Sequence, residues 1–387
     1  MKRCIIIPDS YKGTLSSFQI CNVMEAMVKK HFPLCEAIKV PMADGGEGTV
    51  DCFLNATDAK KIIVCTTGPY GETIETYYAR LGDTAVIEMA SAAGLMLAKN
   101  SEYGLNPKET TTYGVGLMMK HAIEQGCKEI ILGLGGSCTN DAGVGAARAL
   151  GTCFFDTRGK EFIPTADTLS KIADIDNSVT DERLQGIKVT AMCDIDNPLY
   201  GPEGAAYVFA PQKGADTATV ELLDSNLQSL ADIIEGVLGR RVSKMPGAGA
   251  AGGFGAGVVS FFHGKLRSGI DTLLDLIKFD DLLVGTDMVF TGEGCIDSQS
   301  LRGKAVIGIA LRAKVENVPV IAVVGSVEEN IEAAYDMGVT SIFSINRAPM
   351  SFEEAKDLSE QNLADTMDSL MRFYKMVNQS VKREICD

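Results

Sequence analysis

Acids and glycines gather where five apolar, β-branched runs of this chain break off: CIIIPDS at residues 4–10, AIKVPMADGGEGT at 37–49, EIILGLGGSCTND at 129–141, VTAMCDIDN at 189–197 and MVFTGEGCID at 288–297. The acids at these breaks are Asp9, Asp44, Asp194 and Glu293. Carboxylates beside a phosphate repel it unless a hard cation lies between them, so this pairing of acids with glycine loops suits a magnesium-bound phosphate. The chemistry it points to is phosphoryl transfer. Any one of the acids is equally well explained as a helix N-cap, whereas four at corresponding breaks are harder to explain in that way.

Such residues need strands to carry them. In an open parallel sheet, ligands bind outside the carboxyl ends of the strands, where loops from separate segments converge. Strand-like runs alternate here with helical periodicity, as βαβ units require. Ser16 to His31 places Ile20, Val23, Met24, Met27 and Val28 on one stripe, and further helices are expected at 112–125, 141–150, 218–238, 270–284, 304–315, 329–337 and 353–375. Runs at 319–326 and 341–345 bring the parallel-strand candidates to about seven. The stretches 61–90 and 151–175 break the alternation with short β patterns and Gly-Pro, Gly-Asp and Arg-Gly turns, and read as antiparallel hairpins. The expected fold is therefore α/β. An open, mostly parallel Rossmann- or flavodoxin-like sheet with helices on both faces, built from 1–64 and 286–387, accepts an inserted α/β domain with hairpins over 65–285. From Met376 onward the chain reads as a frayed polar tail.

Composition narrows the partners. The chain has 387 residues, 46% hydrophobic and 22% charged, enough for a sizeable core and about two domains. Its formal net charge of -15, with no basic run, excludes a nucleic-acid partner. Eleven cysteines are scattered singly without a C-x-x-C pair, which fits a reducing cytoplasm. Three isoleucines before Pro8 are too few for a signal peptide, and no run reaches a membrane span, so a cytoplasmic protein is expected.

Two glycine segments carry the most local information. Residues 133–141 follow an apolar run and precede AGVGAARALG, so they read as strand, glycine loop and helix start. Free N–H groups and the helix dipole make that junction an anion site in which Ser137, Thr139 and Asn140 act as caps or bond phosphate oxygens; a tight turn with an N-cap explains the local pattern equally well. Gly247, Gly249 and Gly252 spell G-x-G-x-x-G, but a dinucleotide fingerprint needs a strand before it, and VLGRRVSKMP is a helix end and a basic turn. A nucleotide-facing loop or a close backbone packing contact fits better than an NAD site. No Walker-type lysine motif occurs, and His31, His121 and His263 lie apart from the acid and glycine clusters, which disfavours hydrolase triads and zinc sites.

The segments PDSYKGTLS, PMADGGEGT, GLGGSCTNDAGVG, CDIDNPLYGPEGA, FAPQKGA, PGAGAAGGFGAG and TGEGCIDSQSLRGK resemble, in this order, the signature blocks of the type I glycerate kinases, over residues 8 to 304. The resemblance implies ATP- and Mg2+-dependent phosphorylation of D-glycerate in a two-domain α/β protein with its cleft between the domains. Similar bacterial enzymes of glyoxylate and glucarate breakdown act on the 2-hydroxyl, and 3-phosphoglycerate is the alternative product. Cys295 stands where the family usually has Arg, which puts a cationic role there in doubt; Cys138 and Ala142 replace the commoner Ala and Gly.

On this basis Gly135, Gly136, Ser137, Thr139, Asn140, Lys213, Gly249 and Gly252 are expected at the ATP phosphates. Asp44, Asp194, Glu293 and Asp297 divide between activating the hydroxyl and holding the metal, the metal falling to Asp194 and Glu293. Asp9, Ser10, Lys12, Arg267, Ser300, Arg302 and Lys304 are expected at glycerate, whose carboxylate needs a cation for in-line transfer. Homodimer formation is left open. A non-catalytic small-acid binding protein and an NAD-linked oxidoreductase are the rival readings.

Overall fold

The computed structural model describes residues 1–42, 45, 46, 48–298, 300–348 and 351–386, with the backbone alone at Arg302 and 379–386. The chain forms two compact units, Met1–Ala43 with Ile270–Asp387, and Asp44–Gly269. In chain order the strands of the two main sheets are β1 (Arg3–Ile6), β2 (Glu36–Lys39), β3 (Lys60–Thr67), β4 (Thr73–Leu81), β5 (Thr84–Glu88), β6 (Glu129–Gly133), β7 (Lys188–Met192), β8 (Lys265–Arg267), β9 (Met288–Thr291), β10 (Val320–Val324) and β11 (Val339–Ser344).

The first unit carries the five-stranded sheet β11-β10-β9-β1-β2, with every pair parallel. All five residues of β10 are buried, as expected of a strand covered on both faces. Helix Ser17–His31 begins at a capping box in which the Ser16 hydroxyl accepts from Gln19 N and the Gln19 side chain accepts from Ser16 N. Its Ile20, Cys21, Met24 and Val28 share a core with Leu363, Met367 and Met371 of the C-terminal helix, Phe352–Cys386. His31 Nε2 and Asp368 Oδ1, 2.8 Å apart, tie the same two helices together. The tail expected from Met376 instead continues this helix to Cys386, because no Gly or Pro interrupts it.

The second unit carries the six-stranded sheet β8-β7-β6-β5-β4-β3. Its first four strands are parallel and its last two pairings antiparallel, so the hairpin expected over 61–90 forms. A separate three-stranded antiparallel sheet joins Cys153–Phe155, Glu161–Phe162 and Asp174–Asp176. The contact divide falls after 43 and 269, where composition suggests 64 and 285. The earlier divide has a physical reason: β3 pairs with β4 along its whole length, and Val50 N donates to Glu88 Oε1 at the end of β5, so chain from the late forties onward packs with the second unit. Among the described residues no helix is long and apolar enough to cross a membrane.

The α/β class is as expected, but the five acid-bearing runs do not end at one sheet edge. Runs 4–10, 37–49 and 288–297 belong to the first sheet, and runs 129–141 and 189–197 to the second. Periodicity marks a strand without naming its partner.

Glycines in the second unit let backbone meet backbone. A Cβ on Gly133 would lie 2.6 Å from Gly45 O, and one on Gly135 would lie 2.5 Å from Gly46 Cα. On the other side, Gly252 presses on the Thr139 carbonyl and Gly257 on the Ala142 carbonyl, while Gly252 O accepts from Ala142 N at 3.0 Å. Gly252 also has φ +67. Gly252→Ala is therefore expected to cost roughly 2–4 kcal/mol in chemical denaturation, from backbone strain and overpacking together. Gly159→Ala, at a turn with φ +72 and open space around its Cβ, should cost only about 1 kcal/mol.

Candidate active site

In the second unit the loop after β6 and the loop after β7 border a cavity of about 240 Å³. Gly135, Gly136 and Ser137 form one wall, Asp194 and Ile195 another, and Phe209, Gln212, Lys213 and Ala251 close it. Lys213 is almost fully buried; its Nζ donates to Ser137 Oγ at 3.0 Å and to Thr139 O at 2.6 Å. Burial brings this amine down to about 8, partly opposed by Cys138 and Asp141. A buried ammonium beside a hydroxyl and two glycines is a built countercharge for an anion. Asp194 is exposed at this cavity, with Oδ1 accepting from Gly269 N at 2.9 Å.

The loop does not run straight into a helix. Helix Val144–Leu150 starts after Gly143, with no capping side chain on Gly143 itself, and Ser137, Thr139 and Asn140 are not its caps. Asp141 takes that work: its carboxylate accepts from Thr112 N (2.9 Å), Thr112 Oγ1 (2.8 Å), Gly143 N (3.1 Å) and Gly145 N (3.3 Å). Burial pushes this fully enclosed carboxyl up, and those hydrogen bonds pull it back. Thr139 and Asn140 are wholly buried, and neither Thr139 Oγ1 nor the Asn140 amide has a partner among the described residues. Neither lines the cavity that Ser137 and Lys213 border.

Gly249 and Gly252 are likewise turned to protein. Gly249 packs on the Pro198 carbonyl and Gly252 on that of Thr139, and helix Ala250–Phe261 breaks its geometry over Ala251, Gly252 and Gly253 to allow it. No strand precedes Gly247, so the glycine pattern is a packing device and the dinucleotide reading falls. Arg267 ends β8 beside Met192, and its carbonyl accepts from Cys193 N at 2.8 Å.

In the first unit, adjacent parallel strands β1 and β9 put Asp9 and Glu293 at matching offsets, Ile6 pairing with Phe290 and Asp9 N donating to Gly292 O at 2.8 Å. Ser10 N donates to Asp9 Oδ1 at 2.6 Å. Glu293 is 8% exposed, and its Oε1 has no partner among the described residues. Burial raises its carboxyl to about 7; Asp9 and Asp297 push the same way, while the Ser300 hydrogen bond and Lys304 pull down. Ser300 is buried, and its N and Oγ both donate to Asp297 Oδ1, at 2.8 and 3.2 Å. Asp9, Glu293, Asp297, Ser300 and Lys304 thus form one electrostatic group, with exposed Lys12 in the loop after β1. Asp44 and the side chain of Arg302 lie outside the described residues. Among the described residues no three His, Cys, Asp or Glu side chains are grouped to hold a metal.

Two supports of the site carry no signal of their own in the sequence. Thr112 was hidden in a run of three threonines, and Tyr11 lay unremarked inside PDSYKG; its buried hydroxyl donates to Val323 O at 2.7 Å beside Gly292.

This equipment is that of a small-molecule kinase. The chain belongs to the glycerate kinase family, which it matches over residues 4–375. It is 43% identical to the glycerate kinase of Bacillus cereus over 379 residues, covering 97% of this chain and 99% of that one. To the glycerate 2-kinase of Escherichia coli it is 39% identical over 355 residues, 91% of this chain and 93% of the other. The crystal structure of a protein described as a putative glycerate kinase 2 from Salmonella typhimurium superimposes with a TM-score of 0.84 at 37% identity, over 98% of this chain and 99% of that one. The protein is a kinase that phosphorylates glycerate.

Asp141→Ala is expected to lose at least about 2 kcal/mol of stability, since it strands buried donors at Thr112, Gly143 and Gly145. Thermal or urea unfolding of the purified variant measures this, and an unchanged midpoint would reduce Asp141 to a bystander.

Proposed function

We propose that the enzyme transfers the terminal phosphoryl group of ATP to the 2-hydroxyl of D-glycerate, releasing ADP and 2-phosphoglycerate. The observation that carries the nucleotide reading is the buried Lys213 ammonium bonded to Ser137 at the cavity edge beside Gly135 and Gly136. Support for the 2-position is the name of the Escherichia coli relative, a glycerate 2-kinase. In the transfer, the glycerate hydroxyl oxygen attacks the γ-phosphorus, the bond from that phosphorus to the bridging oxygen breaks, and the hydroxyl proton passes to a base. Glu293 is that base: a carboxyl raised to about 7 is matched to proton transfer near neutral pH. Asp297 and Ser300 hold its surroundings, Asp9 and Ser10 flank it, and Lys12 and Lys304 of the same unit offset the charge of the substrate carboxylate.

The donors at the phosphate cavity are oxygens, the Asp194 carboxylate and the Ser137 hydroxyl, hard ligands that suit Mg2+. Asp194 would hold the ion at this cavity. Mg2+ is usually held by one or two carboxylates together with phosphates and water, so a three-acid cage is not required. When bound it neutralises phosphate oxygens that Asp194 would otherwise repel. A cytoplasmic setting is supported by the cysteines, scattered singly with no C-x-x-C pair.

Phosphorus NMR of the product from D-glycerate and MgATP decides the position. The expected signal is 2-phosphoglycerate, and 3-phosphoglycerate would overturn that assignment.

The pH profile of kcat/KM reports the free enzyme. Below about 7 a protonated Glu293 cannot accept the hydroxyl proton; above about 8 a neutral Lys213 no longer offsets phosphate charge. A bell between these limbs is expected. Glu293→Gln should lower kcat by at least about 100-fold and remove the acid limb. Lys213→Met should remove the alkaline one.

A further inference from the structure

The first unit contains a second, smaller cavity, of about 80 Å³. Against roughly 30 Å³ for a water molecule in the liquid, this admits a group of a few heavy atoms and no nucleotide. Lys12 and Thr14 approach it from the loop after β1, Ser326 from beyond β10, and Lys356 and Ser359 from the first two turns of the C-terminal helix. Its wall is largely apolar, with Ile345, Phe352 and Ala355, and set into it are the ammonium groups of Lys12 and Lys356 and the hydroxyls of Thr14, Ser326 and Ser359, in a chain whose net charge is -15. Neither lysine is neutralised in place. Lys12 makes no ion pair among the described residues, and Lys356 meets only Glu353, at 3.9 Å, whose side chain is 81% exposed. A surface pair at that distance contributes little.

The cavity reaches the segment that carries Glu293, although no member of the acid group itself lines it. Gly294, the residue after Glu293, forms part of its wall, and a Cβ there would lie 3.3 Å from Lys12 N. A small anion held here is therefore one residue along the chain from the proposed base.

We propose that this cavity receives the carboxylate of the acceptor, a short hydroxy acid, and that Lys356, with Lys12, makes the enzyme prefer an acid over a neutral polyol. The inference rests on the reading of Glu293 as base and adds to it the element that selects the substrate. Lys356 contributes charge at the carboxylate end and takes no part in moving the proton. Its loss must then weaken glycerate binding and leave the nucleotide alone.

The experiment compares wild type, Lys356→Met and Lys356→Arg. Lys356→Met is expected to raise KM for D-glycerate at least tenfold, with kcat and KM for ATP within about threefold, and to shrink the preference for D-glycerate over glycerol by a similar factor. Lys356→Arg, which keeps the charge, should recover most of the loss. Calorimetric titration of D-glycerate into nucleotide-free protein gives a reading independent of turnover, with the dissociation constant of Lys356→Met expected at least tenfold weaker. An equal dissociation constant in wild type and Lys356→Met overturns the assignment, whether or not phosphoryl transfer to glycerate occurs. A loss that Lys356→Arg fails to recover, accompanied by a lowered melting temperature, overturns it too, because it reports a structural lysine. Absence of turnover with the binding difference intact instead strikes the kinase chemistry assigned to Glu293 and leaves the cavity assignment standing.

Discussion

Backbone packed directly on backbone is the constraint on which the glycine loop after β6 depends. The segment that leaves β6 is gripped by Gly45 and Gly46 on one side and by Gly252 and Gly257 on the other, with no side chain interposed. Contacts of that kind leave little room for adjustment, since the atoms are neither flexible nor removable. The grip has a measurable cost in conformation. Ala142 and Ala251 both adopt positive φ, at 51° and 53°, a region that alanine rarely visits. In return, the carbonyl of Thr139 is fixed where Lys213 can donate to it, and Asp141 is fixed where it can gather the donors of Thr112 and the next helix.

Desolvation acts in both units, with opposite signs for opposite charges. It lowers the amine of Lys213 and raises the carboxyl of Glu293, and each moves from a value far from neutrality to one near it. A group poised there changes charge at little cost. That is the property a proton acceptor needs, and it also makes the buried lysine sensitive to what approaches it. The two hydroxyls beside these groups, on Ser137 and Ser300, keep them oriented while they remain out of water.

Much of this was legible in the residues. Runs such as VIAVV and IIL declare strands buried on both faces, and the Gly-Pro and Gly-Asp turns declare the hairpins of β3, β4 and β5. Which runs share a sheet was not legible, because β1 finds β9 almost the whole chain away and hydrophobic pattern carries no address. Gly135, Gly136, Ser137, Asp194 and Lys213 border one cavity. Gly249 and Gly252 do not face it. A glycine that lets a ligand approach and a glycine that lets another strand of backbone approach look the same in sequence. Lys356 was invisible for a different reason: on a long charged helix a lysine is ordinarily a solvated surface group.

The pairing of β1 with β9 also sets an order of events during synthesis. The six-stranded sheet is complete once β8 has been made, whereas β1 cannot gain its second neighbour until Met288 to Thr291 have left the ribosome. Domains fold as units as the chain emerges, so the second unit is able to close first. Throughout that interval Cys4, Ile5 and Ile6, which end wholly buried, sit on a strand with one open edge. An unpaired apolar edge is a template for pairing with another chain. The nascent protein therefore spends most of its elongation with an apolar strand edge unpaired near its start, and that edge closes only when the loops around Glu293 are about to be made.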